Sequence, residues 1–193
     1  MKFFCINGYG VPKNIFQDGN YERYLGKIME MINSSPDGVE ITLVLCGDHT
    51  NINFPEKSEA GEMKKFFENY YSKEKRLKMV EIYGIDGRDN LEKFFHWLLG
   101  QTEKEELVFF CEWCRRGQMK FLTKKIFGKK WIKIKVIPVD FDQSLRRRLE
   151  PLRQFCKYPL TVFAWYFSII RKYQLKKRQE FIDWWGKTTD QRP

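Results

Sequence analysis

Over about the first 140 residues, short apolar runs alternate with longer amphipathic segments. Phe3 to Ile6, Ile41 to Leu45, Met79 to Tyr83 and Leu107 to Cys111 each have the length of a buried strand. Each leads into a small or polar cluster: Asn7-Gly8-Tyr9-Gly10, Cys46-Gly47-Asp48-His49, the stretch from Gly84 to Asn90, and Glu112 to Arg116. Between the runs, over Asp18–Met31, Ser58–Tyr71, Asp89–Leu99 and Gly117–Phe127, apolar residues recur at helical spacing, as Leu25, Ile28, Met29 and Ile32 do. A further run, Trp131 to Val139, carries Lys133 and Lys135, which suits an edge strand whose outward charges discourage pairing. Alternating strands and helices predict an α/β three-layer sandwich of about five mostly parallel strands with helices on both faces.

In such sheets ligands bind just beyond the carboxyl ends of the strands, so the polar clusters are where chemistry belongs. Several of these residues also suit ordinary helix starts. Ser58 fits an N-cap with Glu59 in the first turn, and Asp86 fits a cap for a helix whose first turn holds Asp89. Gly61 stands where a full capping box needs Glu or Gln.

The chain has 193 residues, with 42% hydrophobic and 31% charged, enough apolar mass for one sizeable core. Its N-terminal apolar run is too short for an export signal, and the five cysteines read as reduced thiols, so a cytoplasmic location is expected. The net charge of +10 divides unevenly. Residues 1–114 hold 14 Lys and Arg against 19 Asp and Glu, whereas residues 115–193 hold 21 against 6. The basic part, including Arg146-Arg147-Arg148, either solvates helix faces or meets a polyanion, nucleic acid or an anionic membrane surface.

The same region contains the most apolar stretch, Leu160 to Ile170, preceded by Pro159. Proline there suits the first position of a helix. Its 11 residues reach about 16 Å at ~1.5 Å per residue, about half the thickness of a bilayer core. A helix covering the sheet, or an oligomer contact, is expected in preference to an interfacial membrane helix. Tyr173, Leu175, Phe181, Trp184 and Trp185 extend the pattern into one long helix or a helical pair. Residues 1–142 thus read as a sheet domain, and 143–193 as a basic, aromatic-rich helical extension packed on it.

Cys111-Glu112-Trp113-Cys114 is a C-x-x-C between strand and helix, open to a redox reading. Its position after the fourth strand and the lack of a second thiol at the helix start favour structural cysteines. His49 and His96 complete no metal-ligand spacing, and Asn7-Gly8-Tyr9-Gly10 lacks the third glycine of a dinucleotide fingerprint.

The order of these clusters resembles the SanA/YdcF/ElyC-like domain, a family of poorly defined function. The likeness covers about residues 1–140, and its most specific piece is Ser-Glu-Ala-x-x-Met at Ser58, Glu59, Ala60 and Met63. Where the family has Ser-Gly-Gly this chain has Cys46-Gly47-Asp48, and where it has Thr-x-Glu-Asn this chain has Gly87-Arg88-Asp89-Asn90. Cys114 to Gly117 occupy the spacing of the family's His-x-x-Arg. The resemblance implies a Rossmann-like fold with one cleft at the strand ends. One family member is linked to S-adenosylmethionine binding and others to cell-envelope upkeep.

These readings together lead us to expect a nucleotide-like or phosphorylated small molecule in the cleft, S-adenosylmethionine first, with transferase or hydrolase chemistry open. Asn7, Gly8, Gly10 and Gly47 would offer backbone amides, Ser58 would cap the ligand with the helix starts, and Glu59 and Asp89 would hold hydroxyl or amine groups. Asp48, His49, Asp86, Asn90 and Glu112 complete the expected lining, with Arg115 and Arg116 neutralising anionic charge. The alternative is an interaction module that binds nucleic acid or an anionic membrane surface through residues 115–193.

Overall fold

The computed structural model describes residues 1–36, 38–49, 53–71, 77–84, 86–100, 106–128, 133–141 and 150–189, excepting the side chains of 150, 151, 153, 154, 178 and 181–189. Five parallel strands form one sheet: β1 (Lys2–Asn7), β2 (Ile41–Cys46), β3 (Leu77–Ile82), β4 (Glu106–Glu112) and β5 (Ile134–Val139), in the order β3-β2-β1-β4-β5. Helices α1 (Gly19–Asn33), α2 (Glu59–Tyr71), α3 (Gly87–Leu99) and α4 (Arg116–Phe127) connect them, and α5 (Glu150–Tyr166) and α6 (Ser168–Thr189) follow.

Period-two alternation in the central strands builds two cores. On one face Phe4, Ile6, Leu43, Leu45, Val108 and Phe110 pack with Tyr24, Leu25 and Ile28 of α1 and with Met63 and Phe67 of α2. On the other, Phe3, Cys5, Val44, Cys46, Phe109 and Cys111 pack with Leu91 and Phe94 of α3 and with Leu122 and Phe127 of α4. Burial on both faces explains why these strands read as continuous apolar runs. β5 is an edge strand, and its Lys135 pairs with Glu106 on β4.

Pro159 does not open a helix; it lies inside α5, which begins at Glu150-Pro151. Pro151 is thus the first-turn proline, where the missing N–H costs least. The apolar stretch is not core either. Leu160, Phe163, Tyr166, Phe167 and Ile169 are exposed, and Ala164 alone among them is fully buried, because α5 meets the domain along one narrow face. On that face Thr161 accepts from Gln118 at 2.8 Å and Trp165 packs edge-on to Phe121 at 6.2 Å. A helical pair is present, broken at Phe167. Arg146 to Arg148 and the 142/143 boundary lie outside the described residues.

Candidate functional site

In the order β3-β2-β1-β4-β5 the chain reverses its direction of sheet growth between β1 and β4, and a crevice opens at the carboxyl ends of strands flanking such a point. A cleft of about 560 Å³ lies there. It takes Asn7, Gly8 and Gly10 from the β1 loop, Gly47 and Asp48 from the β2 loop, and Glu59 from the start of α2. Asp86 and Asn90 come from the α3 start, and Glu112 and Arg115 from the end of β4. The other four expected residues fall outside this lining. Ser58 accepts the Gly61 N–H at 2.9 Å as a cap, and Asp89 pairs with Lys93 at 3.1 Å. His49 is exposed and bonded to Asp48 at 2.9 Å, and Arg116 is exposed at the start of α4.

The role expected of two glycines is corrected. The Gly8 N–H donates to the Cys46 carbonyl at 2.8 Å and the Gly47 N–H to the Ile82 carbonyl at 3.1 Å, so the sheet ladder occupies both amides. Their value is the missing Cβ. A Cβ on Gly8 would sit 2.7 Å from Glu59 Cβ, and one on Gly47 would sit 2.5 Å from it. The two loops thereby let a carboxylate, itself 7% exposed, lie across the ends of β1 and β2. Asp48 fixes the start of α2 in the same place, its carbonyl accepting the Glu59 N–H at 3.2 Å.

Two asparagines present polar atoms to the cleft. Asn90 is 6% exposed, and neither its Oδ1 nor the buried Oδ1 and Nδ2 of Asn7 has a hydrogen-bond partner among the described residues. Leaving buried amide groups unmade costs about 1–3 kcal/mol apiece, an expense that a ligand can recover. Gly84 is required beside Asn90, since a Cβ there would lie 2.6 Å from Asn90 Oδ1.

Asp86 caps α3 by accepting from Arg88 N at 3.0 Å and Asp89 N at 2.9 Å. Burial pushes its carboxyl pKa up, but Arg171 and these two amides outweigh that and hold it below the ordinary value. Glu112 pairs with Arg115 at 3.2 Å. Burial pushes the Cys111 thiol up to about 12 in spite of Arg115, so Cys111 offers no activated thiolate.

Residues that the polar-cluster reading passed over supply the remaining walls. Tyr9, Tyr24 and Phe141 line one end; Tyr9 lies 4.4 Å from Phe141 and is stacked on Tyr21 at 4.5 Å. The Tyr21 hydroxyl donates to the Gly10 carbonyl at 2.6 Å and the Tyr24 hydroxyl to the Asn7 carbonyl at 3.1 Å, which fixes the first loop. Met119 and Leu122 of α4 add apolar surface, and Lys157 of α5 brings a cation from the tail. These aromatics also pack in or against the core, so their residue type alone does not mark them as cleft lining. Lys157 carried no signal, since its approach depends on how α5 docks.

Fold and cleft define the class: an α/β protein with a Rossmann-like parallel sheet and a strand-end crevice. No family model matches the chain, and no curated protein matches it. Among the described residues no group of His, Cys, Asp and Glu is arranged to hold a metal ion.

Proposed function

We propose that the protein binds a nucleoside-like small molecule in the strand-end cleft, with S-adenosylmethionine the first candidate. The observation that carries this reading is that the buried Asn7 amide and Asn90 Oδ1, which have no hydrogen-bond partner among the described residues, line the cleft together with Tyr9. A base can meet the half-buried Tyr9, which the buried Tyr24 and Phe141 hold from behind. Asp48, Glu59, Asp86 and Glu112 accept hydrogen bonds, as ribose hydroxyls and an amine require.

Charge discriminates among the expected ligands. Four carboxylates line the cleft, Asp86 held by Arg171 and Glu112 by Arg115, with Lys157 the other lining cation, and the ladder consumes the Gly8 and Gly47 amides that would cradle a phosphate. That balance favours a neutral or cationic nucleoside over a polyphosphate. The resemblance to the SanA/YdcF/ElyC-like domain supports the same choice through Ser58, Glu59, Ala60 and Met63.

A thermal-shift screen with S-adenosylmethionine, S-adenosylhomocysteine, adenosine, ATP and sugar phosphates tests the reading. A ligand at a hundred times its dissociation constant adds about 2.7 kcal/mol, or roughly 5–10 °C for a chain of this size. Glu59→Gln should shrink that shift beyond its own ligand-independent cost. No shift with any compound would overturn the proposal.

A further inference from the structure

From the outward face of α5 and α6 we infer that the protein docks on an anionic lipid bilayer surface. Large apolar side chains are concentrated there. Leu152, Phe155, Phe163 and Tyr166 recur at three, eight and three residue spacings along one stripe of α5, opposite the inward Thr161, Ala164 and Trp165. Phe155 is 77% exposed, and on α6 Ile169 is 81% exposed with Tyr173 one turn further on. Soluble surfaces seldom gather such residues into one patch without a partner.

The charges on the same face decide which partner. Lys172, Lys176 and Lys177 are exposed beside Ile169 and Tyr173, whereas Arg171 turns inward to Asp86. Long lysine stems can lie along acyl chains while their ammonium groups reach lipid phosphates, the arrangement of an interfacial helix. Residues 150–189 carry 8 Lys and Arg against 3 Asp and Glu. A two-fold contact between copies would bring that excess onto itself, so a second copy of this chain is disfavoured. Nucleic acid would satisfy the lysines but leaves Leu152, Leu160 and Ile169 facing water. No helix of the described residues is long and apolar enough to cross a membrane, so the contact is peripheral.

Flotation of the full chain with vesicles tests this. Vesicles of phosphatidylglycerol with phosphatidylcholine should carry the protein upward at low salt, vesicles of phosphatidylcholine alone far less, and added salt should release it. At about 1 kcal/mol per lysine near an anionic surface, Lys172→Gln and Lys176→Gln should each weaken partitioning roughly fivefold. Phe163→Ser and Ile169→Ser should each weaken it about tenfold or more. These side chains are exposed, so the variants should melt with the wild type. Should a serine variant fold poorly, the two lysine variants decide alone. No flotation at low ionic strength overturns the inference. So does binding indifferent to phosphatidylglycerol, flotation unaffected by all four substitutions, or displacement of the protein from vesicles into a dimer or an RNA complex.

Discussion

Arg171 of α6 holds Asp86 at the start of α3 with both terminal guanidinium nitrogens, one of them 3.2 Å from Asp86 Oδ1. Asp86 also caps α3 and lines the cleft. One carboxylate therefore joins the basic tail to the candidate site. Arg88, two residues further on, adds to the joint by lying over the Trp165 ring at 4.4 Å and donating to the Ala164 carbonyl at 3.3 Å.

Arg171→Met should consequently loosen α6 and destabilise the protein by about 2 kcal/mol, the worth of a charge-assisted hydrogen-bonded pair, lowering the melting temperature by roughly 4–8 °C. The effect depends on pH in a stated direction. Asp86 is depressed in the folded state, so its stabilisation is present above the unfolded carboxyl value of about 3.9 and is lost as pH falls through the lower folded value. Melting curves should show the full gap between wild type and variant at neutral pH and a shrinking gap below about pH 4. A gap that widens in acid would contradict the assignment.

Gly8→Ala should lower the urea midpoint, because the new Cβ meets Glu59 Cβ at 2.7 Å and both backbones are held by ladder and helix bonds. Overpacking of this kind costs about 1–3 kcal/mol. Gly26→Ala, in the interior of α1 with nothing within 4 Å, should instead raise the midpoint through a stability gain of about 0.5–1 kcal/mol. Equal responses at the two positions would show that Gly8 is not pinned by Glu59.

Much of this fold could be read from the chain because the strands are buried on both faces and the helices carry one apolar stripe each. Strand and helix placement, the edge position of β5 and the capping roles of Ser58 and Asp86 follow from local chemistry alone. The site was legible only as far as strand ends point to a crevice. Gly8 and Gly47 look the same in sequence whether they offer an amide or make room for a carboxylate, and only the ladder partners distinguish the two. The tail misled for a related reason. Leu160 to Ile170 are apolar all along, but burial depends on what α5 lies against, which no residue within that stretch encodes.

The cysteines give a chemical check on the core beside the cleft. Cys5, Cys46 and Cys111 are buried while Cys156 is exposed, and burial pushes the Cys5 and Cys111 thiols up. Iodoacetamide at mildly alkaline pH should label Cys156 first, with Cys5, Cys46 and Cys111 modified only on unfolding, as read by peptide mass spectrometry. Rapid labelling of Cys111 in the folded protein would reopen the redox reading of Cys111-Glu112-Trp113-Cys114.

The proposed binding of a nucleoside-like ligand is tested most directly by following glycine amide and asparagine side-chain signals in a nitrogen-15 NMR titration with S-adenosylmethionine. Gly8, Gly10, Gly47 and Gly84, together with the side-chain amides of Asn7 and Asn90, should shift along one saturable curve, while Gly19, Gly26 and Gly128 stay in place. Saturable shifts confined to those distant glycines, or none with S-adenosylmethionine, adenosine, ATP or sugar phosphates, would contradict it.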